Sequence, residues 1–477
     1  MTREFGRREF LQAASGCACA SCFLSLPAFS FFENTAPLKL VSPGCIKSKV
    51  RVAKLYLGVA GALWPTPVMD LNDEMQQYEN EFRQMPKEFA DVDFIINKLV
   101  TRPEQVGELT SALQGVDGIL AIHLSMGVLP ILTEVLKSQK PTMLFAAPYS
   151  GHEWTSFGSL GKKPEGALLD SILSSNRREL AAAVRPFRAI HHLREAKIVN
   201  VSARQPAAEY LNSVKQKFGT EIKTIGLEPM IESYNSIGQA EAEAETERWI
   251  RLAEKVVEPP RDEILRSCKM ALAFEKLLAR EEATCLTVDC YGSMYRKLPA
   301  FPCVGFVRLN NMGLGGICES DLTSAMTHIL AQGLTGKPAF ISDPTMDTSV
   351  DGIILAHCLG SLKMDGPDGE AAPYKLRTIM ERQEGCVPQA RMRTGQKVTQ
   401  LRLIGAENVI YFTGDIIDVP DINRGCRTKI TVKIDGDPEK LWRNWSNGLH
   451  RSTVYGDIAA DLKRFCRFKD LKLVYEA

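Results

Sequence analysis

The chain lacks the features that define several common protein classes. It has no long apolar run of the kind that spans a bilayer, since its weakly apolar N-terminal stretch is short and rich in Ala, Ser, Gly and Cys. Neither sign of charge prevails: 58 Lys and Arg against 57 Asp and Glu leave a formal net charge of +1. No global field therefore draws the protein to nucleic acid or anionic lipid, and there is no basic stripe or RNA-binding aromatic motif. There is no low-complexity tract and no internal repeat beyond a general βα rhythm. The thirteen cysteines form neither a disulfide framework nor paired CxxC knuckles. Three of them (Cys17, Cys19, Cys22) lie near the N-terminus, and the others are scattered in mostly apolar surroundings such as Cys285, Cys303 and Cys318. There a free thiol acts as a small buried hydrophobe. What remains is an ordinary globular composition, in a chain of 477 residues that is too long for one hydrophobic core. The expected partner is a small neutral or modestly charged molecule, with no nucleic acid and no stable membrane insertion.

Residues 1–32 read as an address rather than a fold element. Arg7 and Arg8 are followed by Phe10 and Leu11 and then by an uncharged, weakly apolar run to Ser30, a pattern similar to a twin-arginine export signal. The implied partner is the twin-arginine export machinery, and the implied location is the periplasm or another exported compartment. If the signal is not used, the protein stays in the cytoplasm. That route generally carries folded proteins, often with a cofactor aboard, which fits an enzyme that takes up its metal before export.

From about Lys47 onward, short apolar runs alternate with helical stretches. Val52–Ala60, Asp93–Asn97, Gly118–His123 and Thr142–Ala147 predict strands, with a helix over Glu104–Leu113 between two of them. Ala196–Val201, Glu221–Ile225 and Cys285–Cys290 repeat the pattern. Continuous apolar strands alternating with helices predict parallel sheets covered on both faces. A polar helix over Ala240–Val257 is expected to stop at Pro259 and Pro260, its glutamate run read as a solvated face. Beyond about Gly336 the character changes to closely spaced alternating strands with turn signals, as at Gly395–Ile404, Asn408–Gly414 and Lys429–Asp435. The predicted fold class is α/β: two Rossmann-like parallel-sheet domains, 47–178 and 179–335, then a β-rich, barrel-like domain, 336–477.

One stretch is dense in chemical signals. A Gly-rich loop ending at Gly316 delivers Glu319 and Asp321 to the start of a helix over Leu322–Leu334, with Asp321 as N-cap and Gly336 and Pro338 as the stop. A strand from Ala339 then places Asp343 at its C-terminal end, before Pro344. Two carboxylates 24 residues apart, one before a helix and one at the end of the next strand, are a common way to bring two oxygen ligands together.

These residues carry a resemblance. The run from Cys318 and Glu319 through Gly333-Leu334-Thr335-Gly336 to Asp343 is similar to the L-fucose/L-arabinose isomerase family, the fucose isomerase branch in particular. In that family a Glu opens a helix ending in Leu-Thr-Gly, and an Asp closes the next strand at the same spacing. Its third ligand is a His in a C-terminal Asn-Trp segment. Asn444, Trp445 and His450 stand there in this chain, with one extra residue before the His. The resemblance is specific over Pro302–Asp343 and again near His450, and diffuse over the N-terminal half.

The resemblance implies a metal-dependent aldose–ketose isomerase, an intramolecular oxidoreductase that works through an enediolate. Glu319, Asp343 and His450 would be ligands of a divalent metal, Mn²⁺ first with Mg²⁺ or Co²⁺ as alternatives. Glu319 and Asp343 would also be catalytic, moving the proton between C2 and C1. Two carboxylates and one imidazole suit a hard divalent cation better than a structural zinc site does. Arg308, Asn311, His357 and Trp445 are candidate sugar contacts. His123, His152, His191 and His192 match nothing in the pattern and read as structural or exposed. A sugar is the expected substrate and a homo-oligomer the expected assembly. The alternatives are an exported, non-catalytic sugar-binding relative and a lyase or epimerase using the same metal site.

Overall fold

The computed structural model describes residues 38–477, so the leader expected over 1–32 lies outside the described residues. Five strands open the chain: β1 (Val50–Leu57), β2 (Val92–Val100), β3 (Gly118–His123), β4 (Thr142–Ala146) and β5 (Leu169–Leu173). They form a parallel sheet in the order β2-β1-β3-β4-β5, buried on both faces by helices. Strand β3 reads Gly-Ile-Leu-Ala-Ile-His and is buried at every position, which is why its sequence shows no polar alternation. Strand β5 was not expected from the sequence. The helix predicted over Glu104–Leu113 is instead two single turns, Glu104–Gly107 and Thr110–Leu113.

A second parallel sheet combines β6 (Lys197–Val201) and β7 (Glu221–Ile225) with β9 (Cys285–Val288) and β10 (Gly315–Cys318), in the order β10-β9-β6-β7. Lys255–Val256 (β8) belongs elsewhere: it joins a small sheet with β13 (Tyr374–Ile379) and β14 (Glu384–Ala390). The helix predicted to reach Val257 therefore ends at Leu252, and the residues after it become a strand edge. Its glutamates are not all solvated. Glu245 is buried and accepts from the Trp249 indole at 2.7 Å and from Arg308 at 2.6 Å.

The C-terminal part is a closed antiparallel barrel. Strands β11 (Phe340–Asp347), β12 (Gly352–His357), β15 (Lys397–Ile404), β16 (Asn408–Asp418), β17 (Thr428–Ile434) and β18 (Arg451–Tyr455) pair in the cycle β15-β18-β11-β12-β17-β16, and β16 returns to β15. A last strand, β19 (Lys472–Tyr475), adds in parallel to β16. Phe340, Ile353, Phe412, Ile430 and Val432 belong to the barrel's own apolar cluster. Two parallel sheets followed by a β-barrel is the architecture the sequence predicts.

The described residues pack as one compact unit, and among them no helix is long and apolar enough to cross a membrane. Two local readings change. Gly315–Cys318 is a strand rather than a loop, because β10 must lie tight against helix Cys303–Asn311. A Cβ on Gly316 would sit 2.5 Å from the Phe306 carbonyl oxygen. Asp343 does not end its strand, since β11 continues through Pro344 to Asp347. The missing Pro344 N–H is tolerated because pairing with β18 stops at Ser342, leaving only the β12 side to satisfy.

Candidate metal centre and active site

Glu319 leaves the C-terminal end of β10, the edge of a parallel sheet where ligand crevices form. It and Ser320 both take left-handed backbone conformations, with φ of +62° and +57°. Such non-glycine residues each cost about 1–3 kcal/mol and persist only where surroundings enforce them. Here Ser320 donates its N–H to Val288 at 3.1 Å and its hydroxyl to Asn200, and the Asp321 N–H bonds Cys318 at 3.2 Å. Buried Asn310 grips Gly316 on both sides, donating to its carbonyl at 3.1 Å and accepting its N–H at 2.7 Å. The turn that aims Glu319 is thus held from below.

Asp321 then caps helix Leu322–Thr335, accepting the Ser324 N–H at 2.9 Å, and Gly336 at φ +70° ends that helix. Both ends are where the sequence predicts them.

Barrel register supplies the rest. On β11, Ser342 pairs with Arg451 of β18, and Asp343 pairs with Ala356 of β12. The residue before β18 is His450 and the residue after Ala356 is His357, so Asp343 is flanked by a histidine from each neighbouring strand. His450 Nε2 lies 3.2 Å from Asp343 Oδ1 and 3.7 Å from Glu319 Oε2. The two imidazoles meet edge to face, with centroids 5.4 Å apart. Glu319, Asp343 and His450 are brought together from three separate stretches of chain.

The closest pair, Asp343 and His450, stands as an ion pair without hydrogen-bond geometry. Asp343 Oδ1 and His450 Nε2 are both buried and neither has a hydrogen-bond partner, although they are 3.2 Å apart. A carboxylate oxygen and an imidazole nitrogen at this spacing can both reach one cation. Their chemistry, carboxylate oxygen and imidazole nitrogen, also suits a divalent metal. The donor set therefore fits the cation that the sequence implies. The other ring nitrogen of His450 is fixed by Asp321, whose Oδ2 lies 2.8 Å from Nδ1. A carboxylate on the far nitrogen is the usual means of orienting a ligating imidazole. Arg402 completes the set, donating to Asp321 Oδ2 at 3.0 Å, to the Ser324 hydroxyl at 2.9 Å and to the His450 carbonyl at 3.2 Å.

The electrostatics separate the two acids. Burial raises the Glu319 carboxyl, and although His450 opposes this, Asp343 and Asp321 add to it, leaving it above the ordinary value. Burial also acts to raise Asp343, but the adjoining His450 outweighs it and holds it low. Asp321 is pushed up by burial and pulled down further by His450, Arg402 and Ser324, so it stays ionised. Burial disfavours the His450 imidazolium, yet Asp321 and Asp343 push it up to about 9. His357 goes the other way, lowered to about 4 chiefly by burial. Its Nδ1 accepts the Cys358 N–H at 2.9 Å, so the neutral ring carries its proton on Nε2. That nitrogen faces Cys318 Sγ at 3.3 Å and Glu319 Oε1 at 3.8 Å.

The remaining sugar-contact candidates have partners of their own. Arg308 is buried in an ion network with Glu245 at 2.6 Å and Glu275 at 2.8 Å, tying three helices together. Its charge is engaged inside the protein, and it is a structural residue. Asn311 is also structural: its Oδ1 accepts the N–H groups of Leu362 and Lys363 at 2.9 and 3.1 Å. The Trp445 ring is covered on one face by the Arg451 guanidinium, 4.0 Å from its centroid. Of the four, His357 lies in the cluster, and Arg308 and Asn311 are engaged within the protein.

Asp321 as the partner of His450, and Arg402, were not expected. Asp321 had a sufficient local role as a cap, and nothing near Arg402 in sequence points to the site. Among the unassigned histidines, His123 bonds Ser150 at 2.9 Å and Glu153 at 3.0 Å. His191 bonds Asp117 at 2.9 Å, and His192 is buried beside Ser42 at 3.0 Å.

No family model matches the chain. It is similar to two curated proteins, both sugar isomerases by name. One is the sulfoquinovose isomerase of Alkalicoccus urumqiensis, 22% identical over 334 residues, covering 64% of this chain and 71% of that protein. The other is the sulfoquinovose isomerase of Clostridium sp. (strain MSTE9), 23% identical over 261 residues. That match covers 51% of this chain and 56% of the relative, little more than half its length.

Proposed function

We propose that the protein is a metal-dependent aldose–ketose isomerase, similar to the fucose/arabinose isomerases, acting on a small sugar. The carrying observation is the convergence of Glu319, Asp343 and His450, with two buried ligand atoms 3.2 Å apart and no hydrogen bond between them. The low-identity similarity to two sulfoquinovose isomerases supports an aldose–ketose isomerase and puts that sugar among the substrates to test.

A divalent cation held by these residues, Mn²⁺ before Mg²⁺ or Co²⁺, would polarise the oxygens on the sugar's C1 and C2. We assign the proton transfer to Glu319, whose carboxyl is held above the ordinary value by burial and the neighbouring acids in the metal-free protein and which stays partly exposed. It takes a proton from C2 and, once its carboxyl has exchanged with solvent, delivers one to C1 through an enediolate, while Asp343 stays ionised. Asp321 and Arg402 hold the His450 ring in place. His357 Nε2 stands beside the Glu319 carboxylate, 3.8 Å from its Oε1 and 3.3 Å from Cys318 Sγ.

The test is a panel of aldoses, sulfoquinovose, fucose and arabinose among them, incubated with Mn²⁺-loaded protein and assayed for ketose. Turnover is expected for at least one sugar and is expected to vanish in Glu319→Gln and Asp343→Asn. No ketose from any sugar would leave the non-catalytic binding reading ahead. We also read the leader as an export address and the working form as a homo-oligomer. Cell fractionation and gel filtration with and without metal test these, and uncleaved protein confined to the cytoplasm would refute the first.

A further inference from the structure

Cysteines far apart in sequence gather in a second cluster. Cys358 follows β12, Glu381 sits in the turn between β13 and β14, and Cys426 lies in the loop before β17. One ligand atom from each falls within 4.8 Å of the other two. Cys426 Sγ lies 3.3 Å from Glu381 Oε1. Cys358 is buried, Cys426 is half-buried and Glu381 is exposed, so the cluster has an inner wall and an open side. The wall is apolar and includes Cys303, Ile379 and Val387.

These distances are those of a thiolate site. Tetrahedral zinc with Zn–S near ~2.3 Å and Zn–O near ~2.1 Å separates two sulfurs by about 3.8 Å and a sulfur from an oxygen by about 3.6 Å. The cluster already lies close to that scale. A disulfide between Cys358 and Cys426 would give the converging carboxylate no role, whereas a cation uses all three donors. Two thiolates and a carboxylate around a divalent ion carry one net negative charge, and Arg427 and Lys429 stand beside the cluster. In the free protein the Cys426 thiol is held protonated by its contact with Cys358, by burial and by Glu381.

We propose that Cys358, Glu381 and Cys426 form a second metal site that takes a thiophilic divalent cation of the zinc type, with its fourth position open to water. Binding replaces both thiol protons: two S–H bonds break, two metal–sulfur bonds form and two protons leave to solvent. The site differs in kind from the Glu319, Asp343 and His450 centre, whose donors are oxygen and nitrogen. It also adjoins that centre, because the Cys358 N–H fixes His357.

Cobalt reports thiolate ligation directly. The full-length protein, reduced and stripped of metal, is first saturated with Mn²⁺ and then titrated with Co²⁺. A thiolate-to-cobalt charge-transfer band saturating at one equivalent is expected, with two thiols protected from a thiol reagent. Cys426→Ser should abolish the band, Cys303→Ser should keep it, and Glu381→Gln, at an exposed position, should weaken binding about tenfold or more. The proposal is overturned if the native protein shows no such band, if the band survives in Cys426→Ser, or if thiol trapping finds Cys358 and Cys426 joined as a disulfide. None of these readouts depends on isomerase activity.

Discussion

Replacing Asp321 by Asn separates its two roles. Asn caps a helix about as well as Asp, so the cap on Leu322–Thr335 survives. The charge opposite His450 Nδ1, at 2.8 Å, does not. Loss of such a partner typically weakens metal binding about 10–100-fold, or about 1.4–2.7 kcal/mol. At a Mn²⁺ concentration about 100 times the wild-type Kd, metal should stabilise the wild type by about 2.7 kcal/mol. With a tenfold weaker Kd the same concentration gives the variant about 1.4 kcal/mol. The metal-free variant should also melt lower, by about 3–5 kcal/mol, because Arg402 loses its buried partner. The diagnostic quantity is therefore the increment added by Mn²⁺, read from denaturant melts with and without metal. Equal increments in the two proteins would refute the claim that Asp321 orients a ligating imidazole.

Other consequences can be measured on the same preparations. In chelator, His450 titrates near 9 rather than the ordinary 6.5. Its contribution is thus fully present below ~6.5, is lost as pH rises through ~9 and amounts to at most about 3 kcal/mol. Denaturant melts across that window should show the loss, and His450→Gln should flatten it. Arg308→Ala should destabilise by about 3–5 kcal/mol by leaving Glu245 and Glu275 buried without their cation. Its KM for any sugar turned over should be unchanged; a raised KM with unaltered stability would instead make Arg308 a sugar contact. Gly316→Ala should cost about 1–3 kcal/mol and lower turnover, since its Cβ would collide with the Phe306 carbonyl beneath the Glu319 turn.

The legible part of the site is the part written in local signals. Asp321 as cap, Gly336 as stop and Asp343 one strand later form a contiguous turn–helix–strand unit whose geometry follows from short-range preferences. His450 was found only through its neighbours Asn444 and Trp445. What brings it to Asp343 is the pairing of β18 with β11, a contact across more than a hundred residues. The errors have the same origin. Arg308 and Asn311 lie near Glu319 in sequence, but their side chains turn to Glu245, Glu275 and the Leu362–Lys363 backbone. Glu245 sits in a run of glutamates that differ only in which face of the helix they occupy. The proximity of Cys358 and Cys426 is not legible either, because the loops that carry them are separate in sequence.

The most direct test of the central claim, that Glu319 moves a proton at a centre where Asp343 helps to hold the metal, is isomerisation in D₂O followed by NMR. Mn²⁺-loaded wild type should form ketose carrying solvent deuterium at C1. Glu319→Gln and Asp343→Asn should lose that exchange by about 10²-fold or more. Wild-type rates of exchange and turnover in both variants would contradict the account.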